Sequence, residues 1–574
     1  MLQNRFHNYH PIKVVFFILV LCLLNITALT AQSLPVGTFG LEDYYRREQL
    51  MGKVDSNISF TIRPLNFSLM NKFPEGYSTE DTLHKKILLI SGPTSWKSSD
   101  GKINTQLLPF NLQLQFNSHH PYGWNDGALI PARGLQTLIC GGFYTTYGPL
   151  SIQFKPEIVL AENPSFEGFP TDHYDVVWAR YYDYYNYIDL PERFGKRGYA
   201  RIFWGQSSIR YNLKSFSAGI STENLWWGPG MRNSLLMSNS APGFKHLTIN
   251  TIKPVKTPIG SFEGQLIAGR LEGSGFGPLE PDLKYFGSSL YLPKPNDWRY
   301  LSGLTLNWQP KWIPGLFLGL ARSFQVYSKD IGKRIGDYLP TFLPFQKINA
   351  DDPINKRDQM SSVFMRWLWP DEQAEIYFEY GRNDHSRSFT DFALEPENSR
   401  AYLVGLRKIF PFNKSKQENF IINLEVTQLQ QTSIPTVRGA GAWYVNKYIR
   451  HGYTNRGQLL GAGIGPGGNL QSLDISWFKG LNRIGLQAER YVHNNDFYYY
   501  AFEDSLDFRR HWVDLSLAAN GEWNYQSFIF NAKLQAVRSI NYEWYLLQKP
   551  GEPYFVDGRT ELNIQVQGGF TYRF

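Results

Sequence analysis

The sequence predicts an all-β fold, a transmembrane antiparallel β-barrel, from three observations. Aromatic residues make up 16% of the 574 residues, although the mean hydropathy is −0.35. After residue 31 the chain has no run of 18 apolar residues, so no membrane-spanning helix is expected. Short segments of alternating apolar and polar residues recur instead. This combination is typical of a barrel with apolar residues towards lipid and polar residues towards the lumen. A secreted sandwich or propeller shares much of this profile.

The segment from Glu561 to Phe574 best separates a membrane barrel from a soluble β-protein. Its even positions, from Leu562 onwards, are apolar, aromatic or glycine, and its odd positions are polar apart from one glycine. One face could therefore lie in lipid and the other in water. The segment ends on Phe574 with Tyr572 two positions before it, which resembles the terminal signal of outer-membrane barrels. We therefore expect the barrel-assembly machinery as a partner during insertion.

The same alternation recurs upstream, in residues 110–117, 150–155, 375–380, 420–427, 513–518 and 527–534. Many of these segments are bounded by Gly, Pro or Asn. A tally gives roughly 16 to 18 strands, within the range of single-chain barrels. The long polar or aromatic stretches Glu162–Gly198, Gly275–Asp297 and Lys329–Lys356 are predicted to be extracellular loops or segments folded into the lumen.

Residues 1–31 are predicted to be a secretory signal peptide. A basic lead-in with Arg5 and Lys13 precedes an apolar run over residues 14–24, and small and polar residues follow. The run is shorter than the roughly 20 residues of a membrane-spanning helix, although a tilted anchor is an alternative. Cleavage is predicted after Ala31. The remaining chain keeps Cys140 as its one cysteine, which excludes internal disulfides.

The predicted mature chain is divided into an N-terminal periplasmic or helical segment, residues 32–56, and a barrel with extracellular loops, residues 57–574. Gly40–Lys53 is predicted to be helical, with acidic residues near its start and arginines further on, near the periplasmic mouth or inside the barrel. Ile58, Phe60 and Ile62 are predicted to form a first strand. The net charge of +8 is compatible with anionic polysaccharide or lipopolysaccharide as partners.

The most distinctive stretch runs from Ser221 to His246. Trp226 and Trp227 could stack on sugar rings, whose C–H faces are apolar. Side chains that could bind hydroxyl or carboxylate groups follow or precede them: Glu223, Asn224, Arg232 and Asn233. The structural alternative is that the tryptophans pack into an inward fold of the barrel and the polar groups satisfy a buried turn.

A second stretch runs from Trp443 to Gly457 and leads to a glycine-rich run, Gly461–Gly468. Six of its side chains could form a cationic sugar-binding surface: Lys447, Arg450, His451, Tyr453, Asn455 and Arg456. The alternative is a solvated loop with tight turns. The glycines resemble a dinucleotide fingerprint, but Pro466 lies among them and no βαβ pattern surrounds them, so that interpretation is rejected.

Signals for catalysis and metal binding are weak. The sequence has neither H-E-x-x-H nor G-x-S-x-G. Glu375 and Glu379 on one strand face would lie roughly 13 Å apart, beyond the limit of about 9.5 Å for a glycosidase pair. His119, His120 and His385 have no nearby partners that indicate a metal site. We expect no enzyme activity, no cofactor, no metal and no nucleic-acid partner.

Several motifs resemble the capsule assembly Wzi family: Glu223–Gly230, Asn233–Ser238, Ala241–His246, His451–Gly457, Gly461–Gly467 and Gly40–Tyr45. The resemblance implies an outer-membrane barrel of about 18 strands, capped or plugged by helices on the periplasmic side. It also implies a lectin that attaches capsular polysaccharide or exopolysaccharide to the cell surface. Outer-membrane lipids and lipopolysaccharide are expected as further partners of a barrel in this membrane.

The clustering of polar and aromatic side chains, together with the family resemblance, indicates eight residues that face or organise the ligand. They are Glu223, Asn224, Trp226, Trp227, Arg232, His451, Asn455 and Arg456. The alternative function is an outer-membrane channel for oligosaccharide transport. The state of the lumen distinguishes the two, because a filled lumen favours binding and an open polar pore favours transport.

Overall fold

The computed structural model describes residues 32–38, 40–66, 96–171, 173–342, 356–383, 389–394, 396–431, 441–502, 509–545 and 559–574. The predicted signal peptide and His385 lie outside the described residues. Within that range, no helix is long and apolar enough to span a membrane.

The described residues form a closed antiparallel barrel of 18 strands. The strands are β1 (Ile103–Asn117), β2 (Gly134–Tyr147), β3 (Leu150–Phe154 and Glu157–Ala161), β4 (Tyr199–Phe203 and Ser208–Leu213), β5 (Phe216–Ser221), β6 (His246–Thr251 and Val255–Thr257), β7 (Gly260–Leu271), β8 (Arg299–Pro310), β9 (Leu316–Tyr327), β10 (Asp358–Trp369), β11 (Ala374–Asn383), β12 (Arg400–Asn413), β13 (Glu418–Gln428), β14 (Asn469–Lys479), β15 (Asn482–Val492), β16 (Val513–Tyr525), β17 (Phe528–Ile540) and β18 (Glu561–Tyr572). Each pairs with its neighbours in sequence, and β18 pairs with β1 to close the wall.

Shorter elements lie in the connections and in the lumen. The helices are α1 (Leu41–Leu50), α2 (Asp175–Tyr185), α3 (Ile335–Tyr338), α4 (Phe389–Leu394) and α5 (Asn495–Phe502), with 3-10 turns at Ser328–Asp330, Pro340–Phe342 and Tyr542–Trp544. Short strand pairs join Ser33–Leu34 to Leu65–Asn66, Ile62–Arg63 to Trp226–Trp227, Lys284–Tyr285 to Ser288–Ser289, and Thr454–Asn455 to Gln458–Leu459, and Trp96–Lys97 extends the edge of β1.

The alternating pattern determines which side chains face lipid. In β18, Leu562 and Val566 are exposed on the outer surface, whereas Asn563 and Gln565 are buried inside. The inward amides are satisfied by the contents of the lumen, since the Gln565 side chain donates to the Tyr122 carbonyl oxygen at 2.9 Å. The predicted barrel and its two-faced strands are confirmed.

The two ends of the barrel differ in their connections. Turns of a few residues join strands at one end, and long connections join them at the other. In barrels of this kind the short turns are periplasmic and the long loops extracellular. The predicted loops Glu162–Gly198, Gly275–Asp297 and Lys329–Lys356 all fall in connections at the extracellular end, although residues 343–355 lie outside the described residues.

Helix α1 lies within the predicted helical segment and closes the periplasmic end. Arg47 Nη1 donates to the carbonyl oxygen of Gly480, in the turn between β14 and β15, at 3.0 Å. Leu50 at its end is buried against Leu368, Ile409, Ile421 and Phe478, which lie near the periplasmic ends of their strands. The predicted helical element near the periplasmic side is confirmed.

The predicted strand at Ile58, Phe60 and Ile62 is not part of the wall, and that expectation is wrong. Ile58 and Phe60 are both buried and pack with α1 inside the barrel instead of alternating between lipid and lumen. Phe60 has a φ of 57°, which interrupts an extended conformation. Only Ile62–Arg63 is a strand, and it pairs with Trp226–Trp227 in the lumen.

Three segments fill the lumen: residues 32–66 (the N-terminal segment), residues 222–245 (the Trp segment) and residues 441–468 (the Gly segment). The Trp and Gly segments share an apolar core with inward side chains of the wall, including Trp227, Leu235, Leu236, Trp443, Tyr444 and Leu460. The interior of this barrel is therefore packed like the core of a soluble domain.

Candidate functional site

The Trp segment is held at the centre of the lumen by backbone and side-chain contacts. Trp227 is fully buried, and its Nε1 donates to Oε1 of Gln265 on β7 at 2.8 Å. Its backbone N–H donates to the carbonyl oxygen of Met237 at 3.1 Å, which folds the segment back on itself. Both faces of this ring are covered by protein.

A buried carboxylate on the wall binds the middle of the Trp segment. Glu425 on β13 accepts the backbone N–H groups of Met231 at 2.7 Å, Arg232 at 3.0 Å and Asn233 at 2.8 Å. An irregular segment cannot satisfy these donors within a helix or sheet, so the carboxylate does so. The Arg232 guanidinium forms a two-pronged pair with Glu489 on β15, at 2.8 and 3.1 Å.

Glu223 and Asn224 connect the start of the Trp segment to its surroundings. Glu223 accepts hydrogen bonds from Arg210 Nη2 on β4 at 2.6 Å and from the Ser33 hydroxyl of the N-terminal segment. Its pKa is lowered because Arg210 and these hydrogen bonds outweigh the cost of burial. Asn224 donates to Asn239 Oδ1 at 2.6 Å and accepts from Gln206 Nε2 at 3.1 Å. Both side chains organise the segment.

A network of buried charges attaches α1 to the wall. Glu375 on β11 accepts from Arg46 Nε at 2.8 Å and from Arg366 Nε at 2.6 Å, and lies 3.4 Å from Arg407 Nη1. Asp43 on α1 pairs with Arg407 and, at 2.8 Å, with Arg47. Because buried charges are stable only when paired, this network defines the position of the helix.

A cavity of about 320 Å³ lies between α1, the Trp segment and the wall from β13 to β18. Charged side chains of both signs line it: Glu42, Asp43, Asp126, Glu425, Asp474 and Glu522 against Arg46, Arg63, Arg232, Arg483 and Lys533. Amides and aromatic rings complete the lining, among them Asn125, Asn239, Asn423, Gln565, Trp124 and Trp226. Such a volume with mixed polar groups and rings can hold a small polar ligand such as a sugar unit.

The two tryptophans of the cavity are each covered by an arginine. The Arg63 guanidinium lies 4.2 Å from the Trp226 ring and that of Arg232 lies 5.0 Å from the Trp124 ring. The indole N–H groups of both rings have no acceptor among the described residues. Burial raises the pKa of Asp126 to about 6, so this side chain gains its negative charge only as the pH rises through about 6.

The Gly segment lies towards the extracellular end, on the side of β4 and β7 to β9. His451 bonds through Nδ1 to the Tyr327 hydroxyl at 2.9 Å, and burial lowers the pKa of this imidazole to about 3. Asn455 accepts from the Glu272 backbone N–H at 3.0 Å and donates to the Pro242 carbonyl oxygen at 3.0 Å. Arg456 lies over the Phe203 ring at 5.8 Å.

A cluster of aromatic rings, here called the aromatic cap, closes part of the extracellular end. It unites three connections around Phe169, Trp178, Tyr182, Phe497, Trp512 and Trp544. Edge-to-face contacts such as Tyr181–Phe497, with centroids 5.8 Å apart, hold α2 and α5 together.

The outer face of the aromatic cap carries exposed rings beside charged groups. Tyr174 and Tyr500 are 73% and 43% exposed, respectively. The Tyr500 hydroxyl donates to Asp183 Oδ2 at 2.8 Å, and the Arg180 guanidinium lies 5.3 Å from the Tyr500 ring. This arrangement offers stacking surfaces, a carboxylate and a guanidinium to a ligand outside the cell.

The aromatic cap is expected to loosen as pH rises towards neutrality. Burial raises the pKa of Asp496 on α5 to about 7, against the opposing effects of the Gln431 N–H and of Arg400. Its pKa in an unfolded chain is about 3.9. The folded cap therefore retains a proton that the unfolded cap loses, and stability present at acidic pH is lost as pH rises to about 7.

Hydrogen exchange of the α5 amides measures this effect. After correction for intrinsic rates, protection should fall by at most about tenfold per pH unit between pH 4 and 7, the limit for one proton. In Asp496→Asn the decline should be smaller by the contribution of this one proton, since the amide oxygen can still accept from the Gln431 backbone N–H. An unchanged slope in that variant would contradict the prediction.

The eight residues selected from sequence fall into two groups that do not form one site. Trp226 and Arg232 line the cavity, and Glu223, Asn224 and Trp227 lie buried in the same segment. His451, Asn455 and Arg456 lie in the Gly segment, and none of them lines the cavity. Sequence reasoning missed the cavity residues on the N-terminal segment and the wall, and the exposed residues of the aromatic cap. The sequence does contain a signal for the wall residues, because charged residues such as Glu425 occupy inward-facing positions of the alternating strands.

The closed wall and filled lumen define a transmembrane β-barrel of the outer-membrane type. Among the described residues, no group of three or more His, Cys, Asp or Glu side chains is placed to hold a metal. The family model described as capsule assembly protein Wzi matches residues 145–537, and the chain belongs to this family.

Solved structures include several similar barrels. The chain resembles the Escherichia coli outer membrane protein Wzi, described as involved in group 1 capsule assembly and as a carbohydrate-binding β-barrel, with TM-score 0.60, 13% identity and coverage of 95% of this chain and 100% of that one. Acinetobacter baumannii OccAB2 gives TM-score 0.38 at 9% identity, covering 81% and 98%. A BenF-like porin from Pseudomonas fluorescens gives 0.37 at 8%, covering 82% and 99%. Among curated protein sequences none matches significantly.

Proposed function

We propose that the protein binds capsular polysaccharide or exopolysaccharide and anchors it at the cell surface as a lectin. Membership of the capsule assembly family supports a role in assembly, and the E. coli relative is described as carbohydrate-binding. The observation that carries the proposal is the outer face of the aromatic cap, where the exposed Tyr500 ring lies beside a guanidinium and a carboxylate. The protein would reach this location through the predicted signal peptide, residues 1–31.

The chemistry of the cap face suits a saccharide. Tyrosine rings present flat apolar surfaces at little cost in side-chain entropy, and sugar rings have apolar C–H faces. Asp183 can accept from hydroxyl groups, and Arg180 can donate to hydroxyl or carboxylate oxygens. Both charged groups lie on α2, which the cap holds against α5, so the site is organised before ligand binds.

The eight residues selected from sequence would then act in two ways. Trp226 and Arg232 line the lumenal cavity and would contact a sugar unit held there. Glu223, Asn224, Trp227, His451 and Asn455 would organise the lumenal segments through their buried hydrogen bonds. Arg456 is only partly buried and would remain available to an anionic group.

Transport of oligosaccharides is the alternative function. The lumen holds three packed segments, two of which share an apolar core, and the cavity between them and the wall measures about 320 Å³. Passage would require these segments to separate from buried ion pairs and from each other. The filled lumen therefore favours binding over transport.

A retention assay tests the proposal. A deletion strain should make polymer but shed it into the medium, and the wild-type gene should restore cell-bound polymer. The Tyr174→Leu/Tyr500→Leu variant should weaken polysaccharide binding by about tenfold, equivalent to about 1.4 kcal/mol. Tyr448→Leu is the matched control, because Tyr448 is 61% exposed but lies in the Gly segment, outside the cap.

Wild-type retention in the double variant, at normal levels in the outer membrane, would contradict the placement of the site at the cap. Retained polymer together with failed oligosaccharide uptake in the deletion strain would favour the channel instead.

A further inference from the structure

The barrel wall has a notch at its extracellular half, where two strands are short. β5 ends at Ser221, opposite Ser208 of β4, and β6 begins at His246, opposite Gly269 of β7. The upper part of β4, Tyr199–Phe203, pairs with β3 on one edge, and on its other edge it pairs with no strand among the described residues. With strands about 4.8 Å apart, the missing pair leaves about 14 Å between β4 and β7.

The lower and far edges of this wall notch are well defined. At the lower edge, Thr222 donates from its hydroxyl to the Gly205 carbonyl oxygen at 2.7 Å and from its backbone N–H to that of Ser207 at 2.8 Å. At the far edge, the Glu272 carbonyl oxygen beyond β7 accepts the Arg456 backbone N–H at 2.8 Å. The notch is thus a built feature of the wall, with hydrogen-bonded backbone at its lower and far edges and, on its near side, the edge of β4 that pairs with no described strand.

A tight hairpin of the Gly segment stands behind the notch. Its two turn residues, Arg456 and Gly457, have φ values of 52° and 81°, which suits a two-residue turn between Thr454–Asn455 and Gln458–Leu459. The Arg456 side chain extends across to β4 and lies over the Phe203 ring at 5.8 Å. Arg201, two residues before Phe203 and on the same inward face, lies over the Tyr199 ring at 5.9 Å.

The inner side of the notch carries unneutralised positive charge. Within the described part of the chain, the guanidinium groups of Arg201 and Arg456 form no ion pair, and Lys245 at the lower rim is exposed. The acid at the rim, Glu272, is engaged with Arg270 at 2.7 Å. Glu157 beside Phe203 is buried and accepts from Gln206 at 2.9 Å. The local charge therefore favours an anion.

The outer side of the notch is apolar. Ile202 on β4 and Trp204, which directly follows its upper part, are 77% and 60% exposed on the lipid-facing surface. Ile220 and Leu247 below them are also exposed. Unpaired backbone groups are not tolerated against hydrocarbon, so this open edge needs a polar occupant. An occupant that fits must present an anionic head towards the lumen and an apolar body towards the membrane.

We propose that the wall notch binds the phosphorylated sugar head group of an outer-leaflet glycolipid of the lipopolysaccharide class. Phosphate oxygens bind Arg201 and Arg456, since a guanidinium matches phosphate with two parallel hydrogen bonds. The acyl chains remain outside along Ile202 and Trp204. The notch opens sideways towards the membrane, which favours a lipid-borne anion over a free polysaccharide chain. The protein thereby gains a lipid ligand in addition to the proposed surface polymer.

Binding of purified lipopolysaccharide to the detergent-solubilised full chain tests the proposal. The Arg201→Gln/Arg456→Gln variant should bind phosphorylated lipopolysaccharide about tenfold more weakly than the wild type. The matched control is Arg490→Gln, since Arg490 is exposed at the extracellular end of β15, where the wall is fully paired. Dephosphorylated lipopolysaccharide should bind the wild type and the double variant equally weakly.

Two results would overturn the proposal. The first is unchanged affinity in the double variant, or an equal loss in Arg490→Gln, which would indicate general attraction to the membrane-facing surface. The second is binding of phosphatidylglycerol vesicles as strong as that of lipopolysaccharide, which would show that the sugar of the head group is not recognised. Polysaccharide binding is measured separately on Arg201→Gln alone and on the cap variant Tyr174→Leu/Tyr500→Leu, so loss of lipid binding is distinguishable from loss of polysaccharide binding.

Discussion

Replacing Glu375 with glutamine is expected to release α1 from the wall. This carboxylate is fully buried and lies among the guanidinium groups of Arg46, Arg366 and Arg407. Without its charge the three cations retain Asp43 as their partner, and only Arg407 contacts it. Breaking a buried ion pair by removing one partner costs about 3–5 kcal/mol, because the remaining charge is left uncompensated. Protease cleavage of the N-terminal segment in the folded barrel measures the release.

Glu379→Gln is the matched control for this prediction. Glu379 lies on the same strand and the same inward face and is also fully buried, but among the described residues it forms no ion pair. Its Oε2 accepts the Leu235 backbone N–H at 3.4 Å, a bond that a glutamine oxygen can replace. Equal cleavage in the two variants would show that the charge network does not hold the helix.

Trp227→Ala is expected to destabilise the lumenal core by about 3–5 kcal/mol, the usual range for a buried tryptophan. The ring contacts β8 so closely that a Cβ at Gly303 would lie 2.6 Å from its Cη2 atom. Its loss also leaves the Gln265 amide oxygen without its donor. Thermal unfolding in detergent measures the change. Trp523→Ala is the control, because Trp523 is 45% exposed on the lipid-facing surface.

Polysaccharide retention in the same variant separates an organising role from a ligand contact. Since the Trp227 ring is buried on all sides, retention should fall only as far as folding falls. Loss of retention at unchanged stability would place ligand on the ring. Wild-type retention in Trp227→Ala/Arg456→Ala would show that neither residue supports binding.

The wall was predictable from sequence because each strand carries its own pattern. In β18 the alternation of Leu562, Asn563, Ile564 and Gln565 suffices to assign one face to lipid and the other to the lumen. The alternation of apolar and polar residues is a property of one segment, so it can be recognised without knowing which strand pairs with it. The same rule failed at Ile58, Phe60 and Ile62, because three alternating apolar residues also fit a short buried segment packed against a helix.

The lumenal contacts were not predictable because their partners are distant in sequence. Arg46 and Glu375 are separated by 329 positions, and Arg232 and Glu489 by 257. The sequence places Glu375 and Glu379 too far apart for a catalytic pair but does not reveal their lumenal partners, which are Arg46 and the Leu235 backbone N–H. The structural alternative, in which Trp226 and Trp227 pack into an inward fold of the barrel, agrees with their buried positions in the lumen.

The filled lumen constrains the order in which this chain can fold. The seam between β1 and β18 closes around segments that reach the interior from three separate parts of the chain. Ser33 contacts Glu223, and Arg232 contacts Glu489, so these interior contacts cross between early and late strands. Contacts with such large sequence separation can form only once both the early and the late strands are in place, so the closed wall and its contents stabilise each other as one cooperative unit.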